Sequence, residues 1–468
     1  MAYTLEELRA RHGARYKWLI LLTVMVGTMS SILSSTIVNV AVPDLSRDFA
    51  LGQERAQWVS AAFMQAMTLS MLTTPWFLLR YGLRRTYTGA ILLLLAGGVV
   101  GGFSFNYPML IAMRVAEGLA AGIIQPIPSI VVLRAFDSSE KGKAMGIFGF
   151  GVVLAPALGP SIGGVLVEHF GWRSIFFIVV PFCFIVLGLI RRYLAVNSPL
   201  MGTSGALDWK GLVLAGVCIN SVLNGLVDLH HDVARGLLVL AFGIACFVAF
   251  VFYQLRKTDA LMNMQLFRYR QFAMGALVAF IYGAGLFGST YLLPVYMQMG
   301  LHYAPSHAGL VLLPAGIALA LTIMWAGKLA DRIPPNVLVS LGLALLAVSF
   351  GLMAMGSIAS GFFTLMGLAI VGRIGLGFVL PSLSLGSMRG ISTDLIAQGS
   401  STINFLRQLG GAIGVSLSGI VLEWRLGLRA GQAGGQVAAF NETFIFVALL
   451  CGLAVVAAWR MTPERRPA

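Results

Sequence analysis

Arg114 and Glu117 are the residues best placed for proton chemistry, because they lie three positions apart within a long apolar stretch. Residues at this spacing are neighbours on one face of a helix, so the guanidinium and the carboxylate can meet there. A charge in such a stretch is costly and usually faces a cavity or a partner. Burial favours the neutral carboxyl group and the guanidinium favours the anion, so Glu117 could release and rebind a proton. The alternative is a buried ion pair that only holds the helix in register.

Two further arginines, Arg373 and Arg407, lie in apolar stretches that contain no acidic residue. Arg407 could attract an anionic group of a small molecule or bind a backbone carbonyl, and a structural role is the alternative. Polar and aromatic side chains in apolar stretches could line a cavity for such a molecule, although packing between helices is the commoner use of polar residues in membranes. The residues predicted to line a cavity are Gln65, Gln125, Tyr291, Tyr296, Asn404 and Arg407.

The stretch from Gly149 to Trp172 combines prolines and small residues in what reads as a membrane helix. Proline removes a backbone donor and glycine removes the side chain, so this helix should bend and let a neighbour approach closely. That pattern favours a moving part of a transporter, with an ordinary kinked membrane helix as the alternative. The residues predicted to serve this movement are Gly151, Pro156, Gly159, Pro160, Gly163 and Gly164.

The composition indicates an integral membrane protein. Of the 468 residues, 58% are hydrophobic and 11% are charged, whereas soluble domains carry about 25% charged residues. The net charge of +14 does not indicate nucleic-acid binding, because the basic residues lie in short loops between apolar runs. All four cysteines fall in apolar runs, which predicts neither disulfides nor a metal site. The sequence has no phosphate-binding loop, nucleophile elbow or zinc-protease motif, so we predict a non-enzymatic protein without a cofactor.

Apolar runs long enough to cross a bilayer, roughly 20 residues each, occur fourteen times in the chain. An even number of spans places both termini on one side of the membrane. Of the 32 Lys and Arg residues, 23 lie on that side and six on the other. The positive-inside rule therefore predicts cytoplasmic termini in the cell (inner) membrane. The predicted spans are 18–42, 56–79, 87–105, 108–133, 144–167, 174–194, 209–229, 233–255, 271–297, 305–327, 335–357, 361–388, 396–422 and 440–460.

A weak internal repeat predicts two related units of six helices. RVAEG at Arg114–Gly118 and RIGLG at Arg373–Gly377 each place an arginine four residues before a glycine, and PWFLLR at Pro75–Arg80 corresponds to GKLADR at Gly327–Arg332. Paired repeats around a site in mid-membrane are common in transporters. The predicted division is a cytoplasmic segment at 1–17, a bundle at 18–194, a linker with two inserted spans at 195–270, a second bundle at 271–460 and a tail at 461–468.

Seven motifs in order resemble the fourteen-span drug/proton antiporter branch of the major facilitator superfamily. They are Ser35–Phe49, Leu110–Gly122, Leu154–Gly164, Gly171–Pro181, Leu207–Gly211, Leu261–Ala273 and Ser401–Gly414. The resemblance implies an all-α major facilitator fold, two six-helix bundles plus two inserted central helices. It also implies that Arg114 matches the branch's fourth-helix arginine, which is thought to take part in proton transfer.

The sequence departs from this branch at three places. Leu33, Ser34 and Ser35 stand before Thr36, where many members carry an aspartate, and Phe63 stands where a tyrosine is common. The loop motif after the second span usually has Asp before Arg, and here the pair is Leu79–Arg80, whereas the copy in the second half keeps Asp331–Arg332. The residues predicted to form a cytoplasmic gate are Arg80, Asp331 and Arg332.

The leading hypothesis is a secondary exporter that moves drug-like or amphipathic organic compounds out of the cytoplasm by alternating access as protons enter. The missing first-helix carboxylate favours an alternative, a dedicated carrier of a lipid, siderophore or metabolite with altered or no proton coupling. A third hypothesis is a membrane sensor or scaffold that has lost transport. The expected partners are small organic substrates, protons and membrane lipids, together with a periplasmic adaptor and an outer-membrane channel by family analogy.

Overall fold

The computed structural model of the chain describes residues 3–196, 205–257, 259–356, 361–432 and 434–462, and these are helical throughout with no strand among them. A short helix, α1 (Leu5–His12), precedes the first long one. The predicted tail at 461–468 lies largely outside the described residues. The helices of the first half are α2 (Tyr16–Asp48), α3 (Gln53–Met71), α4 (Thr74–Gly102), α5 (Tyr107–Ile124), α6 (Ile127–Ala135), α7 (Lys141–Phe170), α8 (Ser174–Phe177) and α9 (Val179–Tyr193).

The rest of the described chain forms eight more helices. They are α10 (Trp209–His231), α11 (Val233–Arg256), α12 (Arg270–Val295), α13 (Pro305–Ala330), α14 (Pro335–Met353), α15 (Phe362–Ser387), α16 (Ile396–Leu428) and α17 (Gly435–Trp459). One large hydrophobic core is built mainly from α12–α17, and another from α2, α4–α7 and α9. The division of the chain at residues 195–270 stays a prediction.

Each of the fourteen predicted spans coincides with a long helix, with part of one, or with two consecutive helices. Twelve helical segments in the described residues are long and apolar enough to cross a membrane. The two other predicted spans fall on α3 and α7, which are 19 and 30 residues long. The fold prediction of an all-helical membrane protein is therefore confirmed.

Alternation of these helices puts the start of α2 and the end of α17 at one end of the molecule, which we call the terminal face. The loops before α7, after α13 and before α16 lie at the same face. One tight turn there needs glycine: Gly82 has φ of 75° and separates two helical parts of α4, a backbone conformation in which a Cβ is unfavourable. This turn lies between the predicted second and third spans.

The inserted helices α10 and α11 pack on each other, and α10 also contacts α3 and α16. Their ends at the terminal face are joined by Asp208, which is 2% exposed. Its carboxylate accepts hydrogen bonds from Gly211 N at 3.0 Å, Tyr253 Oη at 3.0 Å, Gln254 Nε2 at 2.9 Å and Lys257 Nζ at 2.7 Å. Burial raises the pKa of Asp208, but these bonds outweigh it and hold the pKa below its usual value. The carboxylate therefore stays ionised at neutral pH and fixes the hairpin.

Candidate functional site

Arg114 and Glu117 form a fully buried ion pair on α5. Arg114 Nη1 lies 2.6 Å from Glu117 Oε2, and the side chains are 0% and 1% exposed. The helix that positions them is well defined at its start, where the Asn106 side chain accepts a hydrogen bond from Met109 N at 2.8 Å and Pro108 occupies the first turn. The spacing of three residues then puts both groups on one face, as the sequence predicts.

The guanidinium of Arg114 also joins α5 to two other helices. Nε donates to Val59 O of α3 at 3.1 Å, and Nη1 donates to Ser34 O and Oγ of α2 at 3.3 and 3.2 Å. The ring of Phe63 on α3 lies under the guanidinium, with 4.3 Å between Cζ and the ring centroid. A single buried cation thus holds α2, α3 and α5 together.

The sequence did not assign a role to Ser34. It lies in the stretch before Thr36 where many members of the branch carry an aspartate. In the structure its hydroxyl and carbonyl oxygens both accept from Arg114. The carboxylate that faces this guanidinium comes from Glu117 on α5 instead. The first-helix position is therefore filled by a neutral hydrogen-bond acceptor, and the acid lies one helix away.

The neighbours of this ion pair satisfy only part of its hydrogen-bonding capacity. Glu117 Oε1 and Arg114 Nη2 are buried and have no hydrogen-bond partner among the residues that the structure describes. Gly97 and Gly98 of α4 lie next to Glu117: a Cβ at Gly97 would come within 2.5 Å of Glu117 Cγ, and one at Gly98 would lie 3.7 Å from Oε1. The two glycines thus make room for the carboxyl group. Because a buried anionic oxygen without a donor is unfavourable, Oε1 is an atom on which a proton can be held.

A second part of the candidate site is the contact between α7 and α13 at the terminal face. Ideal Cβ atoms added to Gly142 and Gly327 would lie 2.2 and 2.5 Å from each other's carbonyl oxygens, and one at Gly146 would lie 3.0 Å from Gly327 Cα. Real Cβ atoms essentially never come closer than 3.0 Å to such an atom, so the backbones at Gly142 and Gly327 can touch only because both positions are glycine. Gly142 and Gly146 were not predicted from the sequence. They lie before the stretch from Gly149 to Trp172 that was predicted to move.

The same contact is strengthened by a carboxylate. Asp331, at the end of α13, accepts hydrogen bonds from Gly142 N at 2.6 Å and Lys143 N at 2.9 Å. These are among the free backbone donors of the first turn of α7, where a negative charge is favourable. Across the same face, Arg134 Nη2 donates to Thr393 O at 2.7 Å. The two halves are thus joined at the terminal face by polar contacts as well as by packing.

The other predicted gate residues differ from Asp331. Arg332 is exposed, and within the described residues its side chain has no ion pair and no hydrogen bond. Asp331 thus has backbone partners across this contact. The place of Arg332 in the gate stays a prediction. Arg80 is exposed at the same face, in the first part of α4.

The predicted flexible helix, α7, is continuous from Lys141 to Phe170. Its glycines beyond the terminal face contact α2: a Cβ at Gly151 would lie 2.7 Å from Met25 Sδ, one at Gly159 2.7 Å from Thr36 Oγ1, and one at Gly163 2.7 Å from Ile37 Cγ1. A Cβ added to Gly164 would have no neighbouring atom within 4 Å in the described part of the chain, so its predicted role in close packing is wrong. The helical turn directs Gly164 away from α2. Pro156 is partly exposed, and the side chain of Pro160 lies outside the described residues.

On the transport function that the sequence predicts, replacing Gly159 with leucine should lower the transport rate at least tenfold without preventing membrane insertion. The larger side chain would separate α7 from α2, the helix that binds Arg114 through Ser34, and overpacking of a tight contact costs about 1–3 kcal/mol. Transport should be measured in vesicles that contain equal amounts of protein. Gly164→Leu is the matched control, since a Cβ there would meet no atom of the described residues within 4 Å. Equal transport by the two variants would refute the prediction.

Gln65 is the predicted cavity residue that the structure places on a cavity of about 250 Å³. The cavity lies between α3, α10, α12 and α16, and its lining is mostly apolar. The residues around it are Met64, Gln65, Thr68, Ile219, Leu223, Phe287, Gln408, Leu409, Gly411, Ala412 and Val415.

The remaining predicted cavity residues have different surroundings. Asn404 Oδ1 accepts from Arg407 Nη2 at 3.0 Å, and both residues are partly exposed. Tyr291 is exposed on α12, and Gln125 is partly exposed at the break between α5 and α6. Tyr296 is 0% exposed and packs against Phe440 and Phe444 at 5.3 and 5.2 Å between ring centroids. The prediction that Tyr296 lines a cavity is therefore wrong, because an aromatic cluster encloses it.

The chain matches the family model of the Major Facilitator Superfamily over residues 24–415. It is 30% identical over 401 residues to the multidrug resistance protein B homolog of Mycobacterium tuberculosis, covering 83% of this chain and 73% of that protein. It is 25% identical over 452 residues to the riboflavin transporter RibZ of Clostridioides difficile, with coverage of 94% and 97%. The human organic anion transporter MFSD10 (TETRAN) superposes with a TM-score of 0.66 at 18% identity, covering 93% of this chain and 99% of that one. This last likeness is one of fold alone.

Proposed function

The chain belongs to the major facilitator superfamily and is a transporter rather than an enzyme, and we propose that it exports drug-like or amphipathic compounds in exchange for protons. Relatives named as multidrug resistance proteins support a role in drug efflux. The single observation that supports proton coupling is the buried pair of Arg114 and Glu117, in which one carboxylate oxygen has no donor within the described residues.

Protonation of Glu117 would change what Arg114 binds. A neutral carboxyl group no longer balances the guanidinium, so the cation would favour another arrangement of its contacts with α2 and α3. Because these contacts join three helices, a proton on one atom can shift the packing of the first bundle. Such a coupling needs two conformations that bind the proton with different affinity.

The terminal face acts as the gate through which the substrate enters. By the positive-inside rule this face is cytoplasmic, so the contacts among Asp331, Gly142 and Gly327 close the transporter toward the cytoplasm. Protons would then reach Glu117 from the opposite side when the structure opens there. Opening of the terminal face would release them to the cytoplasm and admit the substrate for export.

Accumulation of several unrelated compounds in cells tests the export. Cells that lack their own efflux pumps should accumulate less of at least three chemically unrelated amphipathic dyes when they express the protein. Uncoupling the proton gradient should restore accumulation. Equal accumulation with and without the protein for every dye would contradict the proposal.

A dedicated carrier is the second candidate. A relative that aligns along nearly its whole length is named a riboflavin transporter, so transport of one metabolite is compatible with this architecture. The same cells distinguish the candidates: a drug exporter lowers the accumulation of several unrelated compounds, whereas a dedicated carrier changes the distribution of one.

A further inference from the structure

The second bundle holds two arginines far from any acid. Arg373 lies near the middle of α15 and Arg407 well inside α16. Residues 271–460 contain four acidic residues, and all lie toward helix ends or in loops. They are Asp331, Asp394, Glu423 and Glu442. The two guanidinium groups are thus the charges of this bundle at mid-membrane depth.

Neither arginine forms an ion pair within the part of the chain that the structure describes. Arg373 Nη2 donates to Thr290 Oγ1 at 3.2 Å, and Arg407 Nη2 donates to Asn404 Oδ1 at 3.0 Å. Among the described residues no carboxylate lies within 4 Å of either group. Both partners are neutral, and each arginine uses few of its five donors. By contrast, Arg114 is paired with Glu117.

Arg373 and Arg407 both contact helix α12. Arg373 reaches α12 at Thr290, and the buried Tyr282 lies about two turns earlier on the same helix. Gly283, the next residue, packs directly against the backbone of Arg407, where a Cβ would lie 1.9 Å from its carbonyl oxygen. The helices α12, α15 and α16 therefore bring the two positive charges toward a common region.

The unused donors of Arg373 and Arg407 are not enclosed by the described part of the chain. Several arginines in the structure have enclosed nitrogen atoms without partners, but no nitrogen atom of Arg373 or Arg407 is among them. Both side chains stay partly exposed although they lie deep in the membrane-spanning part. Arg407 is also four residues before Gly411, which lines the apolar cavity of about 250 Å³. Residues at this spacing share a helix face. The guanidinium of Arg407 therefore lies on the face of α16 that borders the apolar cavity.

We propose that Arg373 and Arg407 bind the acidic group of the transported compound, so that the substrates are amphipathic organic anions. This inference rests on the proposed export function. A guanidinium presents a planar fork of donors that matches a carboxylate or sulfonate. An unpaired charge at this depth is costly, and a bound anion removes that cost while its apolar part fills the adjoining cavity. The described residues supply no carboxylate within 4 Å of either arginine.

Two dyes with the same aromatic skeleton test the assignment. Anilinonaphthalene sulfonate carries the acidic group and N-phenylnaphthylamine lacks it. Binding of each should be measured by fluorescence with the purified protein in nanodiscs of a zwitterionic lipid, with empty nanodiscs subtracted. Arg373→Gln and Arg407→Gln should each weaken binding of the sulfonate at least tenfold and change binding of the neutral dye less than twofold.

The controls separate charge recognition from folding. Arg389→Gln removes an exposed arginine at the terminal face and should leave both affinities unchanged. If the glutamine variants unfold at lower temperature, Arg373→Lys and Arg407→Lys keep the charge and should still bind the sulfonate better than the glutamine variants do. Well-folded glutamine variants with unchanged sulfonate binding would overturn the inference, and so would an equal loss for both dyes.

The failures of the two proposals are distinguishable. If the protein exports neutral or cationic dyes and its binding of the sulfonate does not depend on the arginines, the anion site is refuted and export stands. If the sulfonate binds in an arginine-dependent way but no compound is exported, the site stands and the proposed function is refuted.

Discussion

Gly327→Val should reduce transport to the background level while the protein still inserts and folds. The glycine touches the backbone of α7, and a Cβ would lie 2.5 Å from Gly142 O and from Gly146 Cα. Because the obstacle is backbone, no side chain can move aside. A cost of about 3 kcal/mol to one conformation shifts a two-state equilibrium by more than a hundredfold. The variant should therefore remain open at the terminal face.

Pulsed electron paramagnetic resonance can detect this shift. Spin labels at Ser139 and Arg389, which are exposed on the terminal face in the two halves, should lie farther apart in Gly327→Val than in the unmodified protein. Gly316→Val on the same helix is the matched control, because a Cβ at Gly316 would have no atom within 4 Å among the described residues. A label distance that stays the same in Gly327→Val would show that this contact does not control closure.

Glu117→Gln should abolish export against a gradient while exchange of substrate down its own gradient continues. Glutamine preserves the size of the side chain in the space beside Gly97, but it cannot take up or lose a proton. It also leaves Arg114 without its counter-charge, which costs about 3–5 kcal/mol when a buried pair loses one member. We expect the rate of gradient-driven export to fall at least a hundredfold.

Counterflow assays in proteoliposomes separate the two activities. Glu168→Gln removes an exposed carboxylate near the end of α7 and should change neither activity. Retention of export against a gradient by a well-folded Glu117→Gln protein would remove Glu117 from the coupling mechanism. A loss of both activities would assign the pair to structure alone.

The helical fold could be predicted from the sequence almost completely, because bilayer thickness fixes the length of each apolar run. The pairing of Arg114 with Glu117 could also be predicted, because both lie on one helix at a spacing that determines their geometry. Asp331 could be chosen from its loop motif, but its partners on α7 are almost 190 residues away in the chain. Local patterns carry no information on such contacts.

The errors in the predicted site arise because a single sequence does not specify how each helix is oriented about its own axis. Tyr296 and Tyr291 lie on the same stretch, yet one is enclosed by an aromatic cluster and the other is exposed. Gly159 and Gly164 belong to one motif, and only Gly159 faces a neighbour. The choice between these positions depends on which face of each helix its neighbours cover.

Proton movement in inverted membrane vesicles tests the central claim most directly. The vesicles should carry a proton gradient, acidic inside, and a pH-sensitive dye, and the substrate should then be added. We predict a substrate-dependent release of protons from vesicles with the unmodified protein and none from vesicles with Glu117→Gln. Uptake of substrate without any proton release by the unmodified protein would contradict proton-coupled export and favour an uncoupled carrier.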